Sequence, residues 1–247
     1  MDIPEILYED NHLIVAVKPA GILSQSDISG APDMLTILKK YLRDTYNKPG
    51  EAYLGLLHRL DRPVAGVMVF AKTSKCASRI SLQIRERKMD KRYRTVVRGV
   101  PEKAEETLRS FIVKDDTRNQ VTVYQPGKAG ALPPNAKEGV LSYRKVGEAL
   151  RDGPGGPRRL ALLEVHLITG RSHQIRAQLS DAGFPILGDR KYGPDDHFYR
   201  GEICLESFSL SFLHPITGKT MTFELPISDD DPWNLFKNTD SRREEMI

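Results

Sequence analysis

Gly66-Val67-Met68-Val69-Phe70-Ala71 is an unbroken apolar run of strand length. A run without polar alternation reads as a strand buried on both faces. Just before it stands His58-Arg59-Leu60-Asp61-Arg62, a carboxylate between two guanidinium groups. Arg59 and Arg62 favour the ionised form of Asp61 where they lie close to it, because opposite charge lowers a carboxylate's pKa. Ionisable groups packed beside a core strand are costly unless paired. They mark either a structural ion-pair knot or a functional site.

The rest of the chain surrounds that strand with more strands than helices. Ile6–Glu9 and Leu13–Val17 read as short strands joined by Asp10-Asn11, and Lys18-Pro19-Ala20-Gly21 ends the second. From residue 32 to 46, Met34, Leu35, Leu38, Tyr41 and Leu42 fall at helical spacing. A second helix is predicted from a Thr73 or Ser74 cap to about Met89, with Cys76, Ile80 and Ile84 as its apolar stripe. Its basic residues Arg79, Arg85, Arg87 and Lys88 form either a solvated face or a phosphate-contacting one.

Strands are predicted at about 92–98, 108–114, 120–125, 160–168, 203–212 and 220–225. Gly/Pro-rich turns interrupt at 126–134 and 153–157. A helix is predicted at about 173–182, with Ser172 as N-cap and Gly183 as stop. Without steady βαβ alternation, this pattern gives an α+β fold with a large, mostly antiparallel sheet.

Composition narrows the setting. Of 247 residues, 39% are hydrophobic and 28% charged, enough for a real core. A net charge of +4 leans toward a polyanionic partner. Two cysteines, Cys76 and Cys204, make no disulfide framework and have no zinc-ligand spacing, so a reducing compartment is expected. No signal segment and no membrane-length apolar run is visible, and a cytoplasmic monomer is expected.

A second motif, Thr169-Gly170-Arg171-Ser172-His173-Gln174-Ile175-Arg176, puts Arg171 at a strand-to-helix junction, where N–H groups favour anions. By itself such a turn is ordinary. His173 reads as a capping or core histidine, and Gln174 and Arg176 as hydrogen-bonding partners of neighbouring loops. Taken in order, however, the blocks resemble the RluA-type pseudouridine synthases. They are Lys18-Pro19-Ala20-Gly21, His58 to Arg62 with Gly66, Lys91-x-Tyr93, and Thr169 to Arg176. Gly183 to Asp189, Tyr192-Gly193 and His214 to Gly218 complete the series.

The resemblance covers about residues 7–225. It implies the fold of that family: a long bent mixed sheet flanked by helices, with the active site in a cleft across the sheet. One catalytic domain over residues 1–228 is expected, with no N-terminal S4-type module, and a polar tail over 229–247. The implied activity is conversion of particular uridines to pseudouridine in structured ribosomal or transfer RNA, with neither metal nor cofactor. Asp61 becomes the catalytic aspartate, Tyr93 the tyrosine against the target base, and Arg171 the cation that pairs with Asp61. Leu205 lines the uracil pocket, and Arg59 fills the space left by the flipped nucleotide. Arg62 joins the substrate-binding set, and Lys91, Arg92 and Arg94 engage phosphates. Two departures stand out: Val64-Ala65 where the family has Thr-Ser, and Glu206-Ser207 where it has His-Ala.

Overall fold

The computed structural model describes residues 3–47, 49–125, 127, 131–194 and 197–239. Contacts divide the chain into two compact units: residues 1–91 with 207–225, and 92–206 with 226–247.

In the first unit, β1 (Ile6–Glu9) pairs with β2 (Leu13–Lys18), and β2 pairs with β4 (Ala65–Ala71), both antiparallel. A short β3 (Gly55–Leu56) also joins β4. Val67 through Ala71 are fully buried whichever way their side chains point, so the apolar run is the two-sided strand expected of it. One face carries Val67, Val69 and Ala71 into a cluster with Leu13, Val15, Cys76, Ile80, Leu210 and Phe212.

Helix α1 (Met34–Thr45) starts where Asp33 accepts from the Thr36 amide at 3.0 Å. Helix α2 (Ser74–Arg85) starts at Thr73, which accepts from the Cys76 amide at 3.2 Å. It ends four residues earlier than predicted. Arg87 turns left-handed (φ 57°), and the Lys88 amide closes back on the Gln83 carbonyl at 2.8 Å, a Schellman-type stop. Arg87 and Lys88 therefore lie beyond the helix.

Gly66 is in this sequence for a backbone reason. Its φ is +131°, and a Cβ there would fall 2.6 Å from the Ser207 amide nitrogen and closer still to the Ser207 carbonyl oxygen. Gly66→Ala is therefore expected to destabilise the protein by about 3 kcal/mol or more, read as a lowered urea midpoint. An unchanged midpoint would contradict this close approach.

In the second unit, β5 (Asp90–Arg98), from Arg92 onward, pairs antiparallel with β9 (Arg158–Leu167). The order continues through β8 (Lys137–Arg151), β6 (Glu105–Asp115) and β7 (Gln120–Tyr124). The sequence reading missed β8 altogether. Its charges, together with Gly139 and Gly147, dilute the alternation, and a register shift between Lys145 and Gly147 breaks the period.

Helix α3 (Gln174–Asp181) buries Gln174 through Leu179 and ends before Gly183 (φ 88°). Its N-cap is His173 in the left-handed region (φ 50°) rather than Ser172. Strand β10 (Leu205–Leu213) passes from the second unit into the first, where β11 (Thr220–Glu224) pairs with it.

The predicted polar tail is in part core. Trp233–Thr239 form a 3-10 helix, and Phe236 is fully buried among Val96, Leu160, Leu162, Leu187, Phe198 and Cys204. Residues 240–247, and Pro126 and 128–130 of the predicted 126–134 turn, lie outside the described residues. Among the described residues, no helix is long and apolar enough to cross a membrane.

Candidate active site

Asp61 sits in a turn whose backbone is held from several directions. Its carbonyl accepts from the Val64 amide at 3.0 Å, and the side chain is partly buried. On one side, the Leu60 amide donates to Ser24 Oγ at 3.0 Å, and that hydroxyl donates to the Leu60 carbonyl at 2.8 Å. On the other side, the Arg62 carbonyl accepts from the Gly21 amide at 2.9 Å and from Lys18 Nζ at 3.0 Å. Arg62 Nε in turn donates to the Gly21 carbonyl at 2.9 Å. One use of Arg62 is thus to close the 18–22 loop onto the Asp61 turn, while Arg59 is exposed.

Lys18 is the least expected member. It is fully buried, and its ammonium donates to the carbonyls of Pro19 (2.9 Å), Ile22 (2.6 Å) and Arg62. Burial pushes its pKa down to about 8, against the pull of the Asp61 charge, with Arg62 adding to the fall. Three carbonyl acceptors favour the charged form, so at neutral pH a buried cation faces the Asp61 turn. The sequence shows Lys18 only as the start of the Lys18-Pro19-Ala20-Gly21 block that ends a strand, and not as a buried cation, because its partners are backbone carbonyls.

His58 is structural. Burial pushes its pKa to about 3, with the Lys91 charge adding to the fall, so the ring is neutral. Its Nε2 accepts from the Val69 amide at 3.1 Å, just past the point where β3 stops pairing with β4. Lys91 has its own pKa lowered by burial.

The second unit holds the other expected residues. Tyr93 is nearly buried on β5, opposite Val165 of β9. Leu205 is buried at the start of β10. Arg171 stands in a loop organised by Gln174, whose Oε1 accepts from Thr169 Oγ1 at 2.9 Å and from the Arg171 amide at 3.0 Å. Thr169 Oγ1 accepts from the Val140 amide at 2.8 Å, tying that loop to β8. Arg171 Nε donates to the Glu138 carbonyl at 3.0 Å, which fixes the stem of an otherwise exposed side chain.

His173 Nδ1 meets the Tyr192 hydroxyl at 2.7 Å, and that hydroxyl accepts from the Val121 amide at 2.9 Å. Arg176 is clamped to Asp189 by two bonds of 2.8 Å, both side chains being buried. Gln174 and Arg176 are thus the loop-holding residues that the sequence predicts.

One of the expected phosphate contacts, Arg94, falls elsewhere. Arg94 is buried, with its Nε 2.6 Å from Glu206 Oε2 and a further bond to the Pro226 carbonyl. It is not placed to meet a phosphate, and Glu206, the departure from the family's His-Ala, is its partner. Arg92 is exposed, but consecutive strand residues point to opposite faces, so Arg92 and Tyr93 do not share one. Arg92 instead lies in register with His166, on the face where Arg144 pairs with Glu164 at 2.9 Å. A groove of about 520 Å³ there is lined by Arg92, Arg144, Glu105 and Glu164, a charge mix unsuited to a polyanion.

Comparison with known proteins bears on this arrangement. Residues 12–181 match the family described as RNA pseudouridylate synthase. The tRNA pseudouridine synthase C of Vibrio parahaemolyticus is 30% identical over 253 residues, covering 98% of this chain and 97% of that one. The ribosomal large subunit pseudouridine synthase C of Buchnera aphidicola is 30% identical, covering 90% of this chain and 66% of that one. Among solved structures, human RNA pseudouridylate synthase domain containing 4 superposes with a TM-score of 0.72 at 22% identity, over 98% of this chain and 93% of that one. At that identity, the match speaks for the fold: a mostly antiparallel sheet flanked by helices.

Proposed function

This chain belongs to the RNA pseudouridylate synthase family, and from that premise we propose that it isomerises particular uridines of structured transfer or ribosomal RNA, with Asp61 as the essential residue. The observation that carries the reading is the Asp61 turn. It is pinned through Leu60 and Arg62 and faced by the buried Lys18 ammonium. An acid carried on so firmly braced a turn is preorganised to act at one point of a bound substrate.

The chemistry asks for little more. The C1′–N1 bond breaks, the uracil turns, and C1′ joins C5. The C5 proton leaves and N1 takes one up, so atoms and electrons balance without an oxidant. The Asp61 carboxylate acts at the ribose, by attack at C1′ or by removal of the C2′ proton. Tyr93 stacks on the extruded base, Leu205 lines its pocket, and Arg171 supports the carboxylate. Arg59 occupies the space the nucleotide leaves. The protein acts as a monomer in the cytoplasm. The test is tritium release by the wild-type protein from RNA labelled at uridine C5 and taken from cells lacking this protein. RNA bound without release would replace this reading with that of an RNA-binding protein.

For backbone contact, the exposed Arg85 and Lys88 are the cations to examine, since Arg79 already donates to the Pro215 carbonyl at 2.5 Å. Lys88 pairs with Glu86 at 2.7 Å, but the pair is exposed and so weak. Reversing both charges is expected to weaken RNA binding about 10-fold and to flatten the salt slope by about 1–2. Unchanged affinity and slope would return this end of α2 to a solvated face.

A further inference from the structure

Residues 24–31 form a loop closed at its base. The Leu23 amide donates to the Pro32 carbonyl at 3.1 Å, and the Met34 amide donates to the Leu23 carbonyl at 2.8 Å. The tip, Asp27-Ile28-Ser29-Gly30, is stiffened from within. Asp27 Oδ1 accepts from the Ser29 amide at 2.8 Å and from the Ser29 hydroxyl, and Ser29 Oγ accepts from the Ala31 amide at 3.3 Å. On this braced tip Ile28 is completely exposed, at 107%.

A single exposed aliphatic residue is ordinary. Ile28 differs in what its loop is fastened to. Ser24, at the start of the loop, holds both the amide and the carbonyl of Leu60, the residue before Asp61. Two residues earlier, the Ile22 carbonyl shares the Lys18 ammonium with the carbonyl of Arg62, the residue after Asp61. The N-terminal base of the loop is thereby fastened to the residues on both sides of Asp61, and all of these contacts lie within the first unit. Between residues 24 and 31 the only charge is acidic, Asp27, so the tip is unsuited to phosphates. An apolar side chain held out by a rigid loop suits the face of a base.

We propose that Ile28 is a wedge that enters the RNA stack beside the target uridine and holds the neighbouring base apart while Asp61 acts. The inference rests on the reading of the chain as an enzyme of uridine in structured RNA. A base must leave its stack before chemistry can reach it, and apolar side chains inserted between base steps lower the cost of unstacking. Arg59 would fill the vacated position, whereas Ile28 acts on the adjacent step. It is a specificity and positioning residue that touches substrate through the neighbouring base.

The test compares wild type, Ile28→Ser and Ile28→Leu in steady-state tritium release from folded RNA, transfer and ribosomal together, labelled at uridine C5 and taken from cells lacking this protein. Ile28→Ser is expected to lower kcat about 10- to 100-fold, with KM within about twofold, because a wedge acts after docking. Ile28→Leu, keeping bulk and apolarity, is expected to restore most of kcat. The thermal midpoint should be the same in all three, since the side chain packs against nothing. An unchanged kcat in Ile28→Ser, or a change confined to KM, would overturn the wedge. No release by the wild type would instead overturn the functional reading on which it stands, and the wedge with it. The wild-type sample alone separates the two failures.

Discussion

Asp61→Asn is expected to lose tritium release by at least about 1,000-fold while keeping its fold and its affinity for RNA. The substitution conserves size and removes only the charge. The hydrogen bonds that pin the turn run between backbone groups of Asp61, Leu60 and Arg62 and the side chains of Ser24 and Lys18, while the Asp61 charge also favours the Lys18 ammonium. A loss of kcat with unchanged KM and thermal midpoint would therefore report the chemistry alone. A variant retaining more than about a tenth of wild-type kcat would remove Asp61 from the reaction.

Asp189→Asn is expected to destabilise the protein by about 3–5 kcal/mol. Arg176 and Asp189 form a buried two-pronged pair at 2.8 Å, and the Asp189 carboxylate also accepts from the Lys191 amide at 2.9 Å and the Tyr192 amide at 3.2 Å. Replacing the acid leaves a guanidinium buried without its counter-charge. Burial by itself would raise the Asp189 pKa, but Arg176 and the two amides outweigh it and hold the carboxyl below its ordinary value.

The sign with pH follows from that depressed value. The pair's contribution is full above the unfolded-state carboxylate pKa and is lost as pH falls through the lower folded-state value. Urea titrations at neutral and acidic pH should therefore show the gap between wild type and Asp189→Asn closing in acid. A gap constant with pH would mean that the pair contributes packing and not charge.

How much was legible in the sequence depends on where each residue's partner lies. Strand β4 was readable because all its side chains are apolar, α1 because its apolar residues keep helical spacing, and the start of α2 because Thr73 is a local cap. The end of α2 was not, since Arg87 adopts a left-handed φ that no residue type there advertises. Strand β8 hid behind charges and a register shift, and Phe236 hid in a polar stretch because its partners come from β5, β9 and the 187–204 region.

The same holds at the site. Asp61, Tyr93 and Arg171 stood out as members of ordered motifs, a signal of resemblance and not of periodicity. The clamp around Asp61 did not, because Lys18 binds carbonyls, which every residue possesses, and Ser24 reaches a residue 36 positions away. Arg94 looked like one more cation in a basic run. Only its partner Glu206, 112 residues on, shows it to be part of the interior.

The most direct test of the central claim is to map pseudouridine in transfer and ribosomal RNA from cells lacking this protein, complemented with wild type or with Asp61→Asn. The account predicts particular uridines that are unmodified without the protein, restored by wild type and left unmodified by the Asp61 variant. Identical maps in all three strains, or restoration by Asp61→Asn, would contradict it.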